Sequence, residues 1–295
     1  MNLFDSSKKF FSNSLNPIEE AIAYEILWTR DKSSFKTISE LFSSNPKTKP
    51  SNFVDKEQIE AFRETFLHLF FSKNCEYKTS FLINSTIDYP KKLRDAKEPV
   101  EALYYSGNLD YIHSKCISIV GTRNPTRDGL IRTKNIVKAL IKNDFTIVSG
   151  LARGIDTMAH KTSIENEGRT IAVLGTPINQ VYPKENSDLQ NFIAKNHLLI
   201  SQIPFYRYSL QNPNSNRFFF PERNKTMSAL SMGTVIIEAS ETSGTLTQAR
   251  AALHQGRKLF ILNSCFENKS ITWPARFEKQ GAVKVNSIDD ILKEF

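Results

Sequence analysis

From residue 116 onward the chain repeats one pattern, a short run rich in Val, Ile and Leu followed by a segment of helical length. The runs are 116–120 (CISIV), 145–148 (FTIV), 171–174 (IAVL), 198–200 (LLI), 234–237 (TVII) and 258–262 (KLFIL). Roughly 20–30 residues separate them, which is room for one crossover helix each. Runs that are apolar on both faces belong in a parallel sheet covered by helices on both sides. The expected fold class is α/β, a Rossmann-like parallel sheet flanked by helices.

The region before these runs is built differently. Ten of the 11 glycines follow residue 110, and only Gly107 precedes it. Charge divides at the same place: residues 1–110 carry 15 basic and 16 acidic side chains, whereas 111–295 carry 24 and 15. Residues 1–75 read as a small helical N-terminal domain, and 76–295 as the Rossmann-like domain. A first helix is expected from Asn16-Pro17, as N-cap and N1, with Glu19 and Glu20 in its first turn and a stripe of Ile18, Ile22 and Ile26. A second is expected from Thr37, whose spacing to Glu40 is that of a capping box, and a third from Asp55, with Ile59, Phe62, Phe66 and Leu69 near one face. Residues 44–54 read as a flexible loop, 79–84 as a strand, 88–90 as a turn and 287–294 as a short closing helix.

The net charge of +8 resides wholly in the second part, as an excess of nine basic groups, and favours a polyanionic partner. No apolar stretch approaches the roughly 18 residues of a membrane span, and no apolar run follows Lys8 and Lys9. A soluble, cytoplasmic protein without membrane contact is expected. Cys75, Cys116 and Cys265 are odd in number and far apart, which argues against a disulfide framework, and no Cys/His spacing suits a metal. No cofactor is called for.

In a sheet of this kind ligands bind beyond the carboxyl ends of the strands, where helix N-termini present unpaired N–H groups. Four such ends here carry glycine and a small hydroxyl donor. Gly121-Thr122-Arg123 follows the first run, Ser149-Gly150-Leu151-Ala152-Arg153-Gly154 the second, Gly175-Thr176 the third, and Ser243-Gly244-Thr245 the fifth. Singly, such clusters are more often steric than functional. Four of them converging on one rim, with Arg123, Arg127, Arg153, Lys184, Arg223 and Lys225 among them, favour an anion site. The Gly-x-Gly-x-x-Gly of dinucleotide folds and the phosphate loop of nucleoside triphosphatases are both missing.

Over about residues 77–292 these motifs resemble the DprA/Smf family of DNA-processing, or recombination-mediator, proteins. The matching stretches are Asp88-Tyr89-Pro90 with Leu93, Leu103-Tyr104-Tyr105-Ser106-Gly107, Ile119 to Arg123, and Ser149 to Asp156 with Ala159-His160. Further along come Ala172 to Gly175, Tyr182-Pro183-Lys184-Glu185-Asn186, Phe220-Pro221-Glu222-Arg223-Asn224-Lys225, and Glu238-Ala239 leading to Ser243-Gly244-Thr245. The resemblance implies a protein that binds and protects single-stranded DNA, loads the recombinase RecA during transformation and recombination, self-associates as a homodimer and catalyses no reaction. Lys225 stands where the family usually has arginine, and Asn263-Ser264 where it has Pro-Gly. The winged helix that many relatives carry at the C-terminus is not expected here.

Single-stranded DNA needs a positive groove and aromatic platforms. The expected phosphate-contacting set is Gly121, Thr122, Arg123, Ser149, Gly150, Arg153, Gly154 and Gly175, with Lys184, Asn186, Arg223, Asn224, Lys225, Ser243, Gly244 and Thr245. Tyr206, Tyr208 and Phe219 are the expected stacking rings, although at least two of the three phenylalanines 218–220 are expected in the core. Asp156 and Glu238 read as loop braces and His160 as a packed core histidine.

A rival reading is a sensor or hydrolase of a nucleotide-derived ligand, in a defence setting. The phosphoribohydrolases of this superfold place a carboxylate one turn after a glycine-rich loop, where this chain has Gln248, an amide that cannot act as a general base.

Overall fold

A computed structural model describes residues 16–71, 76–96 and 99–295. Its described residues form one nine-stranded sheet in the order β1-β2-β6-β5-β4-β3-β7-β8-β9. The strands are β1 Ser80–Ile83, β2 Ala102–Gly107, β3 Cys116–Val120, β4 Thr146–Ser149, β5 Thr170–Leu174, β6 Leu198–Ser201, β7 Gly233–Ile236, β8 Lys258–Leu262 and β9 Val283–Val285. From β6 to β9 every pairing is parallel. β1 and β2 extend the sheet beyond β6 in antiparallel pairing, so the sheet is mixed at one edge. β2 escapes the search for β-branched runs because its sequence, ALYYSG, owes its extended form to two aromatic residues.

The strands alternate between two cores. Cys116, Val120, Val148, Ile171, Val173 and Ile236 pack with Met227, Leu230, Leu246 and Ala249 from the helices Phe219–Leu230 and Thr245–His254. Their neighbours Ile117, Ile119, Ile147 and Val235 point the other way, onto Val137 and Leu140 of Arg127–Lys142 and Ile155 and Ala159 of Ile155–Glu165. This two-residue alternation is the signature of a strand buried on both sides.

The first helix, Pro17–Leu27, begins where expected, with the Asn16 side chain accepting from the N–H groups of Ile18 and Glu19. It does not close a core of its own. Ile22, Tyr24 and Leu27 share one apolar cluster with Ala102, Tyr104, Ala172, Leu174 and Leu199 of the sheet. The division by composition near residue 75 is thus bridged by a common core.

The second helix runs Phe35–Ser43, two residues earlier than expected, because Ser34 is its N-cap. Ser34 Oγ accepts from Thr37 N and Thr37 Oγ1 accepts from Ser34 N, so Thr37 completes the box instead of opening it. Phe35, at the first helical position, packs edge-on against Trp28 with ring centroids 4.7 Å apart. Part of the expected loop 44–54 is ordered as well. Pro50–Phe53 is a 3-10 turn, held by the buried Glu20 carboxylate through Ser51 N at 2.9 Å, Ser51 Oγ at 2.8 Å and Lys49 Nζ at 2.9 Å.

Successive strands β3 to β6 spread to one side, and the chain then returns to lay β7 against the other side of β3. The loops after β3 and β7 therefore diverge at that point and leave a crevice, the place where doubly wound sheets bind ligands.

Candidate nucleic-acid interface

A cleft of about 440 Å³ lies at this switch point. Gly121, Thr122 and Arg123 enter it from the loop after β3, and Ser243, Gly244 and Thr245 from the loop after β7. Arg223 and Asn224 enter from the helix Phe219–Leu230. Half of the expected phosphate-contacting residues thus share one concavity. The two loops are tied to each other: Thr122 N donates to Glu238 O at 2.7 Å, and Thr245 Oγ1 donates to Gly121 O at 3.3 Å.

The loop after β4 is braced from beneath. Asp156 accepts from Gly150 N at 3.1 Å and Ala152 N at 3.4 Å. Burial pushes its carboxyl above the usual range, while the positive charge of Arg223 and the two N–H donors act in the opposite sense. Glu238 plays the matching part after β7, accepting from Thr126 N and Thr126 Oγ1 at the start of the helix Arg127–Lys142. Both carboxylates act as the sequence suggests, as acceptors for loop and helix-start donors.

Several expected contact residues are structural members instead. Arg223 is only 5% exposed and donates to Gly150 O and, at 2.9 Å, to Val173 O. Its remaining Nε–H goes to Asn224 Oδ1 at 2.9 Å. Ser149 is buried and donates to Ile119 O at 2.7 Å. Asn186 is a buried strut, donating to Leu151 O and Thr157 Oγ1 at 2.9 Å. Lys225 pairs with Glu222 at 2.9 Å and lines a neighbouring cavity with Arg250. Arg153 lies on the surface, where both arms of its guanidinium engage Glu185.

The glycines also have local reasons. A Cβ on Gly121 would meet Ile155, one on Gly175 the Phe220 ring, and one on Gly154 the Thr122 carbonyl. Gly154 further adopts a φ of +75°, which a larger residue resists. Gly244 alone of the expected set opens onto free space, with no heavy atom within 4 Å of such a Cβ.

Two cations of the expected phosphate-contacting set remain available. Arg123 and Lys184 are exposed, and neither forms an ion pair with any described residue. Arg123 stands at the lip of the cleft, and Lys184 begins the short turn Lys184–Asn186.

The aromatic set needs correction. Phe219 is 7% exposed, wedged between Tyr208, with centroids 5.8 Å apart, and Phe35, at 6.2 Å. A base cannot reach it. Tyr206 leans on Phe62 at 4.9 Å and is half-buried. The helical turn beginning at Phe219 rotates consecutive rings by about 100°, so Phe218 points outward at 77% exposure and Phe220 into the cleft. Sequence reasoning passed over Tyr182, which is 47% exposed and packs its ring on Phe220 at 5.4 Å. It was visible only as part of the Tyr182-to-Asn186 motif.

His160 is fully buried, with Nδ1 2.7 Å from Thr170 Oγ1, and burial lowers its pKa to about 3. A ring held neutral in the core performs no proton transfer with a bound ligand. Gln248 lines the cleft but is buried, its Nε2 3.4 Å from Thr234 Oγ1.

The sequence profile of the family described as DNA recombination-mediator protein A matches residues 80–295. The chain belongs to this family. DNA processing protein DprA of Bacillus subtilis is 35% identical over 211 residues, which cover 71% of this chain and 69% of that one. The Streptococcus pneumoniae DprA is 34% identical over 207 residues, covering 70% and 71%.

Solved structures agree with the family assignment. An X-ray structure of the Streptococcus pneumoniae DprA superposes with a TM-score of 0.69 at 28% identity, covering 96% of this chain and 94% of that one. A Helicobacter pylori DprA, described for a single-stranded DNA binding mode, superposes at 0.63 and 28% identity, covering 75% of this chain and 99% of that one. The mixed sheet with its switch-point cleft is accordingly the recombination-mediator fold.

Proposed function

We propose that this protein binds and protects single-stranded DNA along the rim of the switch-point cleft, with Arg123 and Lys184 as its principal phosphate contacts. The observation that carries this reading is their availability. Of the basic residues in the expected phosphate-contacting set, Arg223 is engaged by backbone carbonyls, and Arg153 and Lys225 are paired with Glu185 and Glu222. Arg123 and Lys184 stay exposed with no ion pair to a described residue, on a part of the chain that carries nine excess positive charges. The exposed Gly244 adds an open stretch of backbone, and the helix Thr245–His254 the positive end of its dipole, to the same rim.

From the family we further infer that the bound strand is handed to the recombinase RecA in recombination and transformation, that the protein works as a homodimer, and that it acts in the cytoplasm. The protein is a binder and not a hydrolase. Gln248 supplies no carboxylate to the cleft, and Asp156 is engaged by the loop N–H groups beneath it.

The test is a fluorescence titration of single- and double-stranded DNA at two salt concentrations, with wild type and Arg123→Ala. Preference for the single strand, an affinity that falls steeply with salt and a loss in Arg123→Ala are expected. Equal affinity for both DNA forms, or indifference to Arg123, would overturn the reading. Displacement of the strand by a micromolar mononucleotide would favour the nucleotide-sensor alternative.

A further inference from the structure

The rings that the sequence marks for stacking are occupied by the protein itself, whereas one ring it did not mark is free on a fixed support. We propose that the Tyr182–Phe220 pair is a base-stacking wall of the cleft, with an unpaired base of the DNA strand lying on Tyr182. This inference rests on the single-strand reading above and adds to it the contact that recognises the base.

Phe220 is held from two sides. Its ring edge abuts Gly175, where a Cβ would come within 2.5 Å of Cδ1, and the Arg223 guanidinium carbon lies 5.9 Å from its centroid. Tyr182 leans on this fixed ring at 5.4 Å with an interplanar angle of 52°. About half of Tyr182 therefore remains in contact with water. A half-exposed ring already packed on a neighbour loses less conformational freedom on binding than a free one, which suits it as a platform for a planar partner.

The surroundings select a nucleic acid base over another apolar group. Lys184 follows Tyr182 by two residues, and Phe220 lines the same cleft as Arg123. Cations thus stand two residues along the chain from this ring and in the cleft that its support lines, so a partner that alternates phosphates with flat apolar units satisfies both features at once. Among common ligands, single-stranded DNA has that alternation.

The experiment compares an oligothymidylate with an abasic oligomer of the same length and charge, using wild type, Tyr182→Ala and Tyr182→Phe. Tyr182→Ala should lose on the order of tenfold in affinity for the oligothymidylate. Its affinity for the abasic oligomer should match wild type, and Tyr182→Phe should keep both. Equal losses on the two oligomers would overturn the proposal, since Tyr182 would then only position the Lys184 turn. No loss on either oligomer would overturn it as well. Failure of the wild type to bind either oligomer would instead defeat the single-strand reading on which the inference stands.

Discussion

Arg223 reaches beneath Gly150 so closely that a Cβ on that glycine would stand 2.1 Å from its Nη1. The same guanidinium holds Gly150 O and Val173 O and faces the buried Asp156 carboxylate. One side chain thus ties the ends of β4 and β5 to the helix Phe219–Leu230, and the loop that borders the cleft depends on it.

Gly150→Ala is predicted to destabilise the protein, because the guanidinium cannot withdraw without leaving both carbonyls and Asp156 uncompensated. Arg223→Met should cost about 3–5 kcal/mol, the usual consequence of stranding a buried charge. Urea denaturation of both variants checks this. Midpoints equal to wild type would refute the assigned role, and a normal midpoint with lost DNA binding would restore Arg223 as a direct contact.

The charges on the rim should separate by their pairing. Arg123→Ala and Lys184→Ala are each predicted to weaken single-stranded DNA binding and to reduce the salt slope by about 0.7, with stability changed by no more than about 0.5 kcal/mol. Arg153→Ala should do much less, because its charge is already met by Glu185. Conversely, Glu185→Ala should raise affinity by releasing Arg153 to the strand. Titrations at three salt concentrations measure all four, and an Arg153→Ala loss as large as that of Arg123→Ala would contradict the ranking.

The parallel part of the sheet was legible because each strand is a short run buried on both faces, bounded by glycine or a hydroxyl residue. Cys116–Val120 and Lys258–Leu262 were bounded to the residue. β2 was not, since its pairing with β1 and β6 depends on neighbours distant in sequence. The site was legible as a place more than as a set of contacts. Motif spacing located the strand-end loops, but whether a given arginine faces solvent or a carbonyl is decided in three dimensions. Arg123 and Arg223 look alike in sequence, and only the fold exposes one and buries the other. Phe218, Phe219 and Phe220 differ in the same way, since one helical turn sends three identical neighbours to solvent, core and cleft.

That difference is directly measurable. Phe219→Ala should cost about 3–5 kcal/mol, as removal of a buried ring does, whereas Phe218→Ala should stay within about 0.5 kcal/mol of wild type. Thermal denaturation of the pair decides it. Similar melting temperatures for the two variants would show that Phe219 is not the wedge between Tyr208 and Phe35 described above.

The last prediction concerns the buried Glu25, which joins the first helix to the sheet and to the segment after β6. Its carboxylate accepts from Tyr104 Oη at 2.6 Å and from the N–H groups of Phe205 and Tyr206, each at 2.9 Å. Burial outweighs these donors and raises its pKa from an ordinary 4.5 to about 7. The folded protein therefore holds this proton more tightly than the unfolded chain does. Below about pH 4.5 the group is protonated in both states and carries no charge penalty. Between about pH 4.5 and pH 7 the unfolded chain gives up the proton first, so stability should fall as pH rises, by a total on the order of 3 kcal/mol. Glu25→Gln removes the titration. The amide also offers one acceptor where three donors converge, so an added destabilisation that does not vary with pH is expected. Urea midpoints of wild type and Glu25→Gln across this range separate the two effects. The gap between the proteins should narrow as pH rises towards 7, and parallel curves would mean that Glu25 ionises in the folded protein at the same pH as in the unfolded chain.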